Sequence, residues 1–253
     1  MFECEISTQI ARLTLNGPPV NALSRPWADA FNRILDDLES RSDWRVLQIR
    51  SALRVFSAGG DIKQFAHRMA DPRAGELLAE EAACYQQLFA RIETLPQVSL
   101  AEIGGVAAGG GLELALACDL RIAADSIQLG LPEVGLGLLP SAGGTQRLTR
   151  LCGRGRAMRL IGGAELVTAR EALALGVVEW VVQPSELPET AAGIASRLAA
   201  QPLEALQLAK RCIAAACDAT KDGYAEEREA PRVLMQTPET RQKIEAFVAK
   251  SKR

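Results

Sequence analysis

Hydrophobic and polar positions change period along the chain, and the changes mark its elements. Residues 2–15 alternate as strands do. Phe2, Cys4 and Ile6 share one side, then Ile10, Leu13 and Leu15 follow a polar Ser7-Thr8-Gln9 corner, so a hairpin is predicted. Ser24 and Pro26 open a helix with apolar residues at 27, 30, 31, 34, 35 and 38, the stripe of one buried face. Val46, Leu47 and Ile49 form a short strand, and 54–63 read as a glycine-centred turn. A helix over 76–95 carries Leu77, Leu78, Ala82, Tyr85, Leu88 and Phe89. Residues 99–103 are a strand, 104–111 a glycine-rich stretch, 111–117 a short apolar helix and 119–123 another strand. Residues 125–144 are rich in Gly and Pro, with brief extended pieces. Beyond Thr145 the predicted helices cover 145–152, 154–162, 168–175, 187–199, 202–217, 221–235 and 239–250.

Strands alternating with helices predict an α/β core over residues 1–185, followed by a helical region over 186–253. The length of 253 residues fits one large domain or two small ones. Hydrophobic residues make up 48% and charged residues 24%, the balance of a globular protein that needs no disulfide or metal staple.

Charge and rare residues exclude several classes. With 29 Lys and Arg against 31 Asp and Glu, no global field draws the chain to nucleic acid or to an anionic membrane. The one basic cluster, Arg147, Arg150, Arg154, Arg156 and Arg159, is assigned to helix ends or a subunit interface. A single histidine, His67, rules out a zinc site built on several histidines and is read as a surface or packing residue. Cysteines at 4, 84, 118, 152, 212 and 217 form no Cys-x-x-Cys pair, and read as reduced thiols. The opening residues lack the basic and apolar regions of a signal peptide, and no apolar run reaches the ~18 residues that span a bilayer. A cytoplasmic protein is expected.

Two glycine-rich segments carry candidate chemistry: Phe-Ser-Ala-Gly-Gly-Asp-Ile-Lys at 56–63 and Gly-Gly-Val-Ala-Ala-Gly-Gly-Gly-Leu-Glu at 104–113. Glycine lets a ligand approach the backbone and frees amide N–H groups to point at it; turns that need positive φ explain such clusters equally well. Glu113 falls in the first turn of a helix that is apolar on every side, where a carboxylate needs a partner or the helix N-terminus. Glu133, twenty residues on, is also a lone acid among apolar residues and glycines. Two such acids suggest a general acid/base pair, although their spacing does not require them to meet.

In order and spacing, residues 16–24, 56–63, 104–119 and 130–148 resemble the signatures of the enoyl-CoA hydratase/isomerase (crotonase) family. The most specific is Leu-Pro-Glu133 followed by Leu-Leu-Pro140-Ser-Ala-Gly-Gly-Thr-Gln-Arg-Leu148, and the likeness covers essentially the whole chain. The resemblance implies a crotonase-like spiral of ββα units with a helical C-terminal region used in oligomerisation, as a homotrimer or a dimer of trimers. It implies an acyl-CoA thioester substrate, coenzyme A being part of that substrate, with no other cofactor, no metal, no nucleic acid and no membrane. The backbone N–H groups of Gly60 and Gly110 map to the oxyanion hole. Glu113 and Glu133 map to the two glutamates of the hydratase branch, Glu113 activating water and Glu133 donating a proton. Ala58, Asp61, Ile62 and Lys63 map to the segment that contacts CoA.

Keeping both glutamates favours hydration of a trans-2-enoyl-CoA over the sister isomerase, lyase or hydrolase reactions. It also disfavours a non-catalytic scaffold, which needs no buried acids beside glycines. The chain departs from the family at Gln97-Val98, Glu102 and Gly104, and at two positions expected to shape the pocket, Leu129 in place of Phe and Ser141 in place of Gly.

Overall fold

The computed structural model describes residues 1–251. In chain order the first part runs β1 (Phe2–Ser7), β2 (Ile10–Leu15), α1 (Arg25–Glu39), β3 (Val46–Ser51), β4 (Val55–Ser57), α2 (Ile62–Arg68), α3 (Ala74–Thr94) and β5 (Val98–Ile103). It continues with β6 (Val106–Ala108), α4 (Gly110–Ala117), β7 (Leu120–Ala124), β8 (Gln128–Gly130) and a 3₁₀ turn, Pro132–Leu136. Then come α5 (Gly144–Cys152), α6 (Arg154–Gly162), β9 (Leu166–Thr168), α7 (Ala169–Leu175) and β10 (Trp180–Val182). The chain ends in α8 (Leu187–Ala199), α9 (Leu203–Ala215), α10 (Gly223–Leu234) and α11 (Pro238–Ser251).

Two sheets form the core. The larger has the order β1-β2-β3-β5-β7-β10, parallel except for the β1–β2 hairpin. All six residues of β5 are buried, as a central parallel strand covered on both faces requires. The smaller sheet has the order β4-β6-β8-β9, with β4, β6 and β8 parallel and β9 antiparallel.

Helix α1 forms as the stripe predicts. Ser24 caps it by accepting from the Trp27 amide, and Trp27, Ala28, Phe31, Leu35 and Leu38 are buried. Phe2 packs edge-on against Phe31 at 5.5 Å between ring centres and also touches Trp27, which seats α1 on the sheet. Helix α8 lies across β2, β3, β5 and β7. Lys210 of α9 ties the following helices to the sheet by donating to Asp119 at 2.7 Å and to the Gln97 carbonyl at 2.9 Å.

The structure adds elements that the apolar pattern does not show. Residues 55–57 and 106–108, expected as parts of glycine-rich turns, pair as β4 and β6. Residues 62–68, of which only 62 and 63 are expected to end a turn, form α2, whose first amides at Lys63 and Gln64 donate to the Asp61 carboxylate. His67 is exposed on this helix, in line with its reading as a surface residue. The six cysteines are unpaired, and Cys118 and Cys152 are buried. Among the described residues no helix is long and apolar enough to cross a membrane.

Candidate active site

The three parallel strands of the small sheet stop side by side, and each is followed at once by a candidate segment. After β4 comes the turn 58–60, after β6 come Gly109 and helix α4 with Glu113, and after β8 come Leu131 and the 3₁₀ turn with Glu133. Carboxyl ends of neighbouring parallel strands open a crevice where ligands bind. The turns approach closely because glycine allows it. A Cβ placed on Gly59, where φ is +84°, would lie 2.8 Å from the Gly110 nitrogen and 2.9 Å from the Ala108 carbonyl oxygen. The Gly109 amide donates to the Gly130 carbonyl at 2.9 Å, which closes the third side.

Both acids reach this corner. A Cβ on Gly109 would stand 2.9 Å from Glu133 Oε1, and a Cβ on the adjacent Gly110 would stand 3.8 Å from Glu113 Oε2. Glu113 is 3% exposed, and its Oε1 accepts from the amides of Ala142 and Gly144, both at 2.8 Å. Glu133 Oε2 is buried with no hydrogen-bond partner, an arrangement that costs roughly 1–3 kcal/mol unless something fills it. The amides of Gly60 and Gly110 are likewise taken by no protein acceptor among the described residues.

Burial sets the electrostatics. It pushes the Glu113 carboxyl up to about 7; the charge of Glu133 adds to the rise, while the amides of Gly144 and Ala142 and the cation of Arg147 oppose it. Burial also raises Glu133, opposed only by its own backbone amide. Donors that favour the ionised form are therefore concentrated on Glu113.

The other candidates are placed unequally. Ala58 and Lys63 are exposed beside the 58–60 turn, and Ile62 is 50% exposed. The Asp61 carboxylate is occupied in capping α2. Leu129 is buried in the core on β8, between Ala107 and Val167 of the adjacent strands. Ser141 is exposed, and its carbonyl accepts from Gln86 Nε2 of α3 at 2.7 Å.

Sequence reasoning missed two supports of the site. Asn21 is buried at φ +49°, donates to Ser51 Oγ and the Phe56 carbonyl, and accepts from the Gly17 amide. Its own carbonyl takes Ser57 Oγ, which accepts from the Gly59 amide, so the 58–60 turn hangs from this loop. Arg147, read as part of a basic cluster, is instead buried against the Ala142 carbonyl and Glu93. Arg150 also pairs with Glu93, and Arg159 pairs with Glu165 and Glu171. Among the described residues, no three His, Cys, Asp or Glu side chains are grouped to hold a metal ion.

Comparison with known proteins gives the family and the fold. The family model described as "Enoyl-CoA hydratase/isomerase" matches residues 5–253. The short-chain-enoyl-CoA hydratase of Clostridium acetobutylicum is 35% identical over 248 residues, covering 96% of this chain and 93% of that protein. The 2,3-dehydroadipyl-CoA hydratase of Escherichia coli is 34% identical over 255 residues, covering 99% and 97%. The crystal structure of an enoyl-CoA hydratase from Bacillus anthracis superposes with a TM-score of 0.91 at 35% identity, covering 98% of this chain and 96% of that one. The fold is thus the crotonase-like α/β fold expected from the sequence.

Proposed function

The chain belongs to the enoyl-CoA hydratase/isomerase family, and from that premise we propose that it is a hydratase, adding water to a trans-2-enoyl-CoA to give the 3-hydroxyacyl-CoA. The observation that carries this reading is the pair of carboxyls, buried Glu113 and half-buried Glu133, brought to the adjacent Gly109 and Gly110. The thioester carbonyl oxygen sits between the amides of Gly60 and Gly110. The second of these opens α4, so the positive end of the helix adds to the stabilisation of charge on that oxygen. Removing one such donor typically raises the barrier by about 3–4 kcal/mol.

Glu113, with Oε1 held by two amides, is the ionised partner. Its other oxygen takes a proton from the water that bonds to Cβ. The π electrons move toward the thioester as an enolate, and Glu133, protonated, delivers its proton to Cα. One turnover leaves the proton on Glu113, and exchange with solvent resets the pair. The pair holds one proton and titrates as a unit.

Ala58, Asp61, Ile62 and Lys63 form the margin along which CoA lies, the ammonium of Lys63 facing its phosphates. Leu129 and Ser141 shape the acyl side. Coenzyme A enters as part of the substrate, and the steps need no metal. Exposed apolar side chains along the helices, Met158 at 71%, Ile213 at 71%, Tyr224 at 77% and Phe247 at 74%, support assembly as a homotrimer or dimer of trimers. Unpaired cysteines support a reducing, cytoplasmic setting.

The test is loss of the conjugated-enone absorbance of crotonyl-CoA with wild type and Glu133→Gln. The variant is expected to lose at least about 100-fold in kcat while remaining folded. An unchanged rate in the variant, or a folded wild type inert toward short, long and branched trans-2-enoyl-CoA, would overturn the proposal.

A further inference from the structure

We propose that Arg147 is a positioning residue for Glu113, acting through the turn 142–144. The inference rests on the reading of Glu113 as the acid/base group and extends it to the device that orients that group. The two amides that hold Glu113 Oε1 belong to Ala142 and Gly144, either side of Gly143. Three bonds fix this turn from behind. Arg147 Nη1 donates to the Ala142 carbonyl at 3.0 Å, the Arg147 amide donates to the Gly143 carbonyl at 2.9 Å, and Gln86 of α3 donates to the Ser141 carbonyl. Ala142 is therefore gripped on both faces of its backbone, by Arg147 at its carbonyl and by Glu113 at its amide.

The side chain has to fold back to do this, and the sequence makes room. Gly143 lies at φ +104°, and a Cβ there would fall 2.1 Å from Arg147 Nη1. The guanidinium occupies the volume that any side chain at 143 would take. Its remaining donors, Nε and Nη2, both reach Glu93 Oε2 of α3, at 3.1 and 2.9 Å. Only a planar fork serves a carbonyl on one side and a carboxylate on the other; an ammonium is a point donor. Arg147 is 8% exposed, so its carbonyl contact is shielded from water even though Glu93 is partly open. Helix α3 thus holds the turn at two points, through Gln86 directly and through Glu93 by way of Arg147.

The charged groups that face Glu113 are Glu133 and Arg147, and those that face Arg147 besides it are Glu93 and, through the shared carboxylate, Arg150. Loss of the guanidinium removes a nearby cation and loosens two amide donors. Both changes favour the protonated form of Glu113.

The experiment compares wild type, Arg147→Lys, Arg147→Gln and Glu93→Gln by crotonyl-CoA hydration across pH. In the two Arg147 variants kcat is expected to fall about 10- to 100-fold with KM changed less than about threefold, as for a misaligned reacting group. The acid limb of the pH profile is expected to move up by about half a pH unit or more. Glu93→Gln keeps an acceptor for the guanidinium and is expected to stay within about threefold of wild type. A second readout needs no turnover: the titration of the protonated-carboxyl infrared band that Glu113→Gln abolishes. In Arg147→Lys, which keeps the charge and preserves the fold if Arg147→Gln does not, its midpoint is expected to rise. An unmoved midpoint, with any loss confined to melting temperature, overturns the positioning role. A shifted midpoint in an enzyme that hydrates no enoyl-CoA upholds the role and overturns the hydratase reading alone.

Discussion

Replacing Glu113 by Gln is expected to stabilise the folded protein above neutral pH while removing its proposed activity. The magnitude follows from the burial of one carboxyl. Glu113 is 3% exposed and its pKa is pushed up from 4.5 to about 7. At ~1.36 kcal/mol per tenfold, holding that group ionised in the folded state costs about 3 kcal/mol relative to the unfolded chain. The sign follows from linkage. The folded state binds this proton more tightly than the unfolded state, so the associated stability is complete below 4.5 and is lost as pH climbs to about 7. Glutamine does not ionise, and its Oε1 keeps both amide donors, from Ala142 and Gly144. Its new N–H group adds an offset that does not vary with pH. The charge of Glu133 adds to the rise at Glu113. Urea unfolding of both proteins, at one protein concentration and at steps from pH 4.5 to 8.5, gives the difference in stability. That difference is expected to grow in favour of the variant by up to about 3 kcal/mol and to level off near pH 8. A difference that stays constant across the range would refute the argument that burial, rather than hydrogen bonding, dominates at Glu113.

Other substitutions test the site and its frame. Gly109→Ala places a Cβ 2.9 Å from Glu133 Oε1 at φ +54°. It is expected to lower kcat about 100-fold, with a stability loss of about 1–2 kcal/mol by thermal melting. Arg121→Met strips a 2% exposed guanidinium from the carbonyls of Cys118 and Val177 and from Glu179. The acceptors left behind are expected to cost about 3–5 kcal/mol in denaturant unfolding.

What the sequence discloses divides by the range of the interactions. Helices held by a local apolar stripe are legible. The apolar positions between 27 and 38 predict α1, and the expected helix over 187–199 coincides with α8. Strands β4, β6 and β8 are three residues each, too short for a period of two to register, and are defined by pairing with segments 20 or more residues away. Helix α2 buries no side chain and has no stripe to detect; the one local sign of it is Asp61 placed to cap it. Glu113 and Glu133 are conspicuous as acids in apolar runs, but their approach to the adjacent Gly109 and Gly110 depends on the β6–β8 pairing. Arg147 was hidden by its neighbours. Five arginines in thirteen residues read as charges for helix ends or a subunit interface, and only the empty volume over Gly143 explains how one of them turns inward.

The two acids are held in different ways, and the difference bears on their proposed roles. Both lie where burial favours the neutral form, more strongly at Glu113, and the donors on Glu113 work against that preference. Glu113 has two amides and a nearby guanidinium; Glu133 has an oxygen with no partner at all. The donors of the turn 142–144 therefore draw the proposed proton toward Glu133. A change that loosens the turn, at Gly143, Arg147 or Gln86, moves the proton toward Glu113 and leaves neither acid in the form its step requires. Residues that never touch the substrate would then slow hydration, and the pH profile would distinguish their loss from removal of a glutamate.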